Sequence, residues 1–140
     1  VVDTCCRRGL PALFALNVDG RLAFSPTLES DQQVEAAVLA HQRGAKDMGP
    51  ALGPDAPAVA AQLFRERGAS VDCRASDWHL TPEQAALQRP LIEGWHAAAR
   101  AQQPDAAAVI DRWRDERLRV LEHSFITVGH QDLLVIPCRD

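Results

Sequence analysis

The stretch LPALFALNVDG, residues Leu10–Gly20, decides the fold that this sequence predicts. Its apolar residues follow one another with almost no polar alternation until Asn17, and the Asp19-Gly20 pair that comes next is a turn signal. A short unbroken apolar run is typical of a strand buried on both faces, with strands beside it and helices above and below. We therefore expect a central strand over Pro11–Val18, a turn at Asp19-Gly20, and a short hairpin arm over 21–24.

Downstream of this stretch, helical and strand-like patterns alternate. Apolar residues recur at helical spacing over about 29–44, 57–67, 81–102 and 104–122, and further strands are expected over 70–80 and 125–137. The last two helices should form a helical hairpin, and Gly129 indicates a bulge or a close approach within the closing strand. Because a strand–helix–strand unit packs as a right-handed crossover between parallel strands, the sequence predicts an α/β fold that is half of a doubly wound sheet.

Capping residues and apolar spacing predict where the helices begin and which residues they bury. Ser30 or Asp31 is a candidate N-cap for the first long helix, and the sequence from Thr81 to Gln84 is a capping box that begins the third. The helical hairpin should bury apolar residues at helical spacing, among them Leu87, Leu91, Ile92, Trp95 and Trp113. Between the helices, residues 44–57 carry several Gly and Pro residues and are expected to form a long surface loop.

The composition is that of an ordinary globular protein, and its charge limits the kinds of partner that the protein can bind. The chain has 140 residues, enough for one domain, of which 46% are hydrophobic and 24% charged. Its formal net charge is −4, whereas binding to nucleic acid or to an anionic membrane requires a basic face. We therefore expect neither nucleic acid nor a membrane as the main partner.

The cysteines suggest the cellular compartment of the protein, and the first residues suggest that the chain is part of a longer one. Cys5, Cys6, Cys73 and Cys138 include no C-x-x-C pair, so reduced thiols in a cytoplasmic protein are expected. No apolar run approaches the roughly 20 residues of a membrane helix, and we expect no signal peptide before the fold. The chain begins at Val1, close to its most buried predicted strand, which suggests that an N-terminal portion is missing.

Three stretches carry a resemblance to a known family: HQRGAKDMGPALGP (His41–Pro54), SDWHL (Ser76–Leu80) and VGHQDLL (Val128–Leu134). With the order of elements, they resemble the C-terminal half of class I S-adenosylmethionine-dependent methyltransferases, in one bacterial branch of that family. The resemblance covers nearly all of this chain but only about half of a family member. It implies that LPALFALNVDGR matches the fifth strand of a Rossmann-like sheet, the segment up to SDWHL the fifth helix and sixth strand, and TVGHQDLLVIP the seventh. In that family the seventh strand lies antiparallel between the fifth and the sixth.

The sequence departs from the family in its cofactor site. Family members bind S-adenosylmethionine with a glycine-rich loop after the first strand and an acidic residue at the end of the second, because backbone must approach the ligand and a carboxylate must bind the ribose. No G-x-G-x-G pattern follows a strand in this sequence. S-adenosylmethionine is therefore implied by the resemblance alone, and no cofactor-binding residue can be assigned in this chain.

Two groups of polar residues are candidates for substrate binding at strand ends. Asn17 and Asp19 follow the first strand, and Asp77, Trp78 and His79 end the next parallel strand, so all could face one crevice at the carboxyl edge of the sheet. Asp77 and His79 would share a strand face, which suits a general base or a hydrogen-bonded pair. The structural alternatives are a turn for the first group and a helix start for the second.

The loop after the first long helix is the third candidate. His41, Arg43, Lys46 and Asp47 could recognise an anionic or carbonyl group there, with a solvated loop held by local ion pairs as the alternative. His130 and Asp132 lie two apart on a strand and are expected to be a structural pair, since a metal would need further ligands. We predict no metal site, and no hydrolase or kinase motif identifies a catalytic residue.

The resemblance implies two alternative functions. In the first, the chain is the substrate-side part of a methyltransferase that acts on a small molecule, inactive and unable to bind S-adenosylmethionine alone. In the second, it is a non-catalytic remnant of the fold that dimerises or binds a ligand. A homodimer through the Pro11–Val18 edge is expected if that apolar strand has no other neighbour, because an exposed apolar edge is a template for another strand.

Overall fold

A computed structural model describes residues 1–46 and 49–137 as a mixed α/β fold. Its α-helices are α1 (Val2–Arg7), α2 (Asp31–Arg43), α3 (Ala56–Arg65), α4 (Ala85–Gln102) and α5 (Ala107–Arg119). Its strands are β1 (Ala12–Phe14), β2 (Val18–Ser25), β3 (Ala45–Lys46), β4 (Gly49–Pro50), β5 (Ser70–Ala75), β6 (Trp78–Leu80) and β7 (Phe125–Ile136). Strands β1, β2, β5, β6 and β7 form an open antiparallel sheet, and β3 and β4 form a separate two-stranded hairpin.

The closing strand β7 pairs with all four other strands of the sheet. Its residue Val135 lies opposite Ala12 of β1 and also opposite Val71 of β5, so β7 runs between these two strands. Because both pairings are antiparallel, β1 and β5 are parallel to each other. The parallel direction predicted for the strands near residues 11–18 and 70–80, which correspond to β1 and β5, is therefore confirmed. The long closing strand is also confirmed.

The chain divides into two compact units, and the first consists of Val1–Arg21, Leu52–Asp77 and the segment from Gly129 onward. One face of its sheet packs on α1 and α3 around the fully buried Phe64, whose ring centroid lies 5.7 Å from that of Phe14. On the opposite face the register places Leu13 beside Leu134, and both side chains are exposed, Leu13 by 68%. Helices thus cover one face of this sheet, while the other presents apolar side chains to solvent.

The second unit, Leu22–Ala51 and Trp78–Val128, is built mainly on α2, α4 and α5. Val34 on α2, Ile92 on α4, and Ile110 and Trp113 on α5 are completely buried at its centre. Asp111 of α5 contacts His96 and Arg100 of α4, so the predicted helical hairpin is confirmed.

A charged pair also lies inside the second unit. Arg117 is fully buried and forms an ion pair with Asp31, which also accepts a 2.8 Å hydrogen bond from Nε1 of Trp113. The guanidinium stands 4.3 Å over the ring of Phe24 and donates to the carbonyl oxygen of Pro26. Every charge in this cluster therefore has a partner, which burial of an ion pair requires.

The prediction of one long buried strand over Pro11–Val18 was wrong. Strand β1 has only three residues, and the chain turns at Leu16, which has a φ of 60°, before β2 begins at Val18. The side-chain amide of Asn17 closes this turn by donating to the carbonyl oxygen of Phe14. The predicted turn at Asp19-Gly20 was also wrong, because β2 continues through it with Gly20 at a φ of 87°.

Three smaller predictions need correction. The strand expected over 70–80 is two strands, β5 and β6, separated by Ser76 and Asp77. The loop expected over 44–57 contains the β3–β4 hairpin and the first residues of α3. Leu87 is 41% exposed rather than buried, because Gln88 occupies the interior position and donates to two backbone carbonyls.

Candidate functional site

Arg21 joins two of the predicted site residues within the first unit. Its guanidinium donates to the carboxylate of Asp19 through Nε at 2.8 Å, and to that of Asp77 at 2.8 and 2.7 Å. Asp19 lies on β2, whereas Asp77 follows β5, so the arginine connects two separate strands. The structure therefore brings together two carboxylates that the sequence placed at neighbouring strand ends.

The turn beside this bridge is held by side chains that sequence reasoning treated as candidates. The Asn17 amide donates to the carbonyl oxygen of Gln131 as well as to Phe14, each at 3.0 Å. The carboxylate of Asp132 accepts the backbone N–H of Leu16 at 3.0 Å. Asn17 and Asp132 thus fix the β1–β2 turn against β7, which is the structural role weighed for Asn17.

Gly129 lets the chain approach closely at this position. A Cβ atom on Gly129 would lie 2.2 Å from Oδ1 of Asp19 and 2.7 Å from Cβ of Arg21. Any side chain there would displace the Asp19–Arg21 pair. The prediction of a close approach at Gly129 is confirmed.

The next residue of β7, His130, also contacts Asp77. The backbone N–H of His130 donates to Oδ1 of Asp77 at 3.1 Å, and His130 is a buried residue, with 4% of its surface exposed. The carbonyl oxygen of His130 accepts the backbone N–H of Ser76. The hydroxyl of Ser76 is buried and has no hydrogen-bond partner among the described residues.

The electrostatics of the bridge limit its chemistry. The hydrogen bonds that Arg21 donates to Asp77, and then those to Asp19, raise the pKa of Arg21 above its ordinary value, so the guanidinium stays charged. Two carboxylates and one guanidinium leave a net charge of −1, and the Arg21 donors point at carboxylates rather than at an external anion. The side chains of Asp19 and Asp77 are 20% and 16% exposed, so both carboxylates reach the protein surface.

The remaining predicted residues that the structure describes lie in the second unit. His41 and Arg43 end α2, and the backbone of Lys46 lies in β3, while Asp47 falls outside the described residues. Trp78 and His79 belong to β6, where Nδ1 of His79 lies 3.2 Å from Oγ1 of Thr127. A substrate-binding role for these residues stays a prediction.

Sequence reasoning missed Arg21. The signal was present, since Asp19 and Arg21 are two apart and share a face of any strand that includes both. Interpreting Asp19-Gly20 as a turn placed the arginine beyond a chain reversal and hid this pairing.

The described residues contain neither a cluster of metal ligands nor a membrane-spanning helix. Over 1–46 and 49–137, no group of three or more His, Cys, Asp or Glu side chains is arranged to hold a metal ion. Across the same residues, no helix is long and apolar enough to cross a membrane.

In comparisons with known proteins, no protein-family model matches this sequence, and no curated protein is significantly similar to it.

Proposed function

We propose that this chain forms the C-terminal, substrate-side part of a Rossmann-like S-adenosylmethionine-dependent methyltransferase that acts on a small molecule. The observation that carries this proposal is the strand order in the first unit. There β7 runs antiparallel between the mutually parallel β1 and β5. The methyltransferase family gives the same order and directions to its fifth, seventh and sixth strands.

The uncovered sheet face supports the proposal independently. In a doubly wound fold, helices cover both faces of the sheet. Here Leu13, Leu134 and Ile136 remain 45–68% exposed opposite the face that packs on α1 and α3. Further helices and strands from the first half of such a fold would bury these side chains.

The residues present do not fit S-adenosylmethionine. The family holds the cofactor with closely spaced glycines between a strand and a helix, whereas no two glycines of this sequence are two residues apart. The chain alone therefore lacks the backbone cradle that the family uses for the cofactor. Cys5, Cys6 and Cys73 are free thiols, which favours a reducing compartment such as the cytoplasm.

The cofactor part of the proposal is tested by calorimetric titration of the 140-residue chain with S-adenosylmethionine. We expect no binding at micromolar concentrations. Micromolar binding would contradict the account of a missing cofactor half. The coding sequence upstream of Val1 should encode a glycine-rich strand–helix connection, and the intact mass of the natural product should include it.

The uncovered face gives a sharper test in that longer product. Leu13→Lys should lower its unfolding temperature, because the lysine would lie against the added half, but should change that of the 140-residue chain little. Leu63→Lys, at an exposed position of α3, is the matched control and should behave alike in both. Equal effects of Leu13→Lys in the two proteins would count against the proposed cover.

The alternative function is a non-catalytic homodimer, and the exposure of β1 specifically favours it. Leu10, Leu13 and Leu16 are 47–68% exposed, and β1 lies at an end of the strand order. Such an edge can pair with a second copy. Sedimentation velocity should then show a dimer that Leu13→Lys dissociates, whereas a monomer at all concentrations would exclude this alternative.

A further inference from the structure

A cavity in the second unit is large enough for a small ligand. Its volume is about 500 Å³, and it lies between residues 22–24 of β2, the following turn and the first turns of α2. Leu22, Phe24 and Leu28 provide apolar surface on its wall. Ligand sites in proteins commonly have this size and combine apolar walls with a few polar groups.

The charged groups around the cavity are acidic. Glu29, Asp31 and Glu35 line it, and no lysine, arginine or histidine is among the described residues that do so. The charge of Asp31 is neutralised by Arg117, with which it is paired in the interior. The cavity is therefore left with the negative charges of Glu29 and Glu35.

Of these two carboxylates, Glu35 is half-buried, whereas Glu29 is exposed. Glu35 lies one helical turn after Asp31, and it makes no hydrogen bond or ion pair within the part of the chain that the structure describes. Partial burial, and then the negative charge of Asp31, raise its pKa above the ordinary value. A ligand cation would remove both unfavourable effects by pairing with the carboxylate.

We propose that this cavity binds an organic ammonium ion, with its charged group on the carboxylate of Glu35 and its apolar body against Phe24 and Leu28. We infer an apolar ligand body because the walls of the cavity are apolar, and a positive charge because Glu35 has no counter-ion within the described part of the chain. An anionic ligand would be repelled by Glu29 and Glu35 and would find no cationic side chain among the described residues that line the cavity. The proposal is separate from the methyltransferase function and needs no S-adenosylmethionine.

The test compares 2-phenylethylammonium with the neutral 2-phenylethanol, by NMR titration of the 140-residue chain. The ammonium should shift the amide signals of residues 22–35 and bind about tenfold more tightly than the alcohol, as expected for one charge-assisted hydrogen bond. Equal affinities of the two probes, or amide shifts elsewhere, would overturn the proposal without any variant.

Glu35→Gln adds a second readout. It preserves the shape of the side chain and should reduce the affinity for the ammonium about tenfold while leaving that for the alcohol unchanged. Glu122→Gln, at an exposed position of the same unit, is the matched control and should bind both probes like the parent protein. Undiminished ammonium binding by Glu35→Gln would also overturn the proposal.

Discussion

Arg117 and Asp31 form an ion pair withdrawn from solvent, with the arginine side chain completely buried and that of Asp31 10% exposed. Asp31 opens α2, whereas Arg117 lies in the last turns of α5, so the pair connects two helices far apart in sequence. Removing either partner of a buried pair strongly destabilises the folded state, because the remaining charge has neither water nor a counter-ion.

Asp31→Ala should therefore destabilise the protein strongly. It leaves the buried guanidinium of Arg117 unpaired and removes the acceptor of the Trp113 indole N–H. We expect the free energy of unfolding in urea to fall by about 3–5 kcal/mol. Asp115→Ala breaks the exposed pair with Arg114 and is the control that should change it little. Similar losses of unfolding free energy in the two variants would contradict the expectation that burial makes the Asp31–Arg117 pair costly to break.

Gly129→Ala and Gly94→Ala should have opposite effects on stability. The methyl group at position 129 would overlap Asp19 and Arg21, so unfolding free energy should fall by about 1–3 kcal/mol. At position 94, inside α4, no atom lies within 4 Å of the added Cβ, so helix propensity should raise stability by about 1 kcal/mol. Thermal and urea unfolding of both variants would check this, and a neutral Gly129→Ala would argue against the close approach.

Asp111 should contribute stability that disappears in acid. Hydrogen bonds from His96 and then Arg100 hold the pKa of Asp111 below its ordinary value of 3.8. The contribution is thus present above pH 3.8 and is lost as the pH falls through the lowered pKa. Asp111→Asn should be less stable than the parent protein at about pH 5, and this difference should shrink below pH 3.8. A constant difference across urea titrations at these pH values would be inconsistent with the shift.

The contribution of Glu35 to stability should depend on pH in the direction opposite to that of Asp111. The pKa of Glu35 is raised above the ordinary 4.5, so the folded state binds the proton more tightly, and stability falls as the pH rises through the raised pKa. Glu35→Gln should match the parent protein below pH 4.5 and become the more stable of the two above it. Unfolding curves over this range provide the measurement. A variant that is less stable than the parent at neutral pH would mean that the Glu35 carboxylate has a favourable partner.

Local patterns predicted most of the helices and the closing strand correctly. The capping box at Thr81, the end of α2 at Gly44 and the apolar run of β7 depend on residues close together in sequence. The same reasoning placed Asp19 and Asp77 at neighbouring strand ends. It missed Arg21 because it interpreted Asp19-Gly20 as a turn, which hid the local pairing with Asp19, and because the pairing with Asp77 spans 56 residues and leaves no local signature.

By itself, the sequence determined the long helices α2 to α5 and the closing strand β7, because hydrophobic spacing, caps and glycines act within a few residues. Only the tertiary structure decided how the stretch from Leu10 to Gly20 is used. Contacts of Asn17 and Asp132 with distant backbone turn the chain at Leu16, which splits the apolar run between two strands. The tertiary structure also decided that Leu13 faces solvent and that Arg117 is buried, since burial depends on what packs against a residue rather than on its polarity.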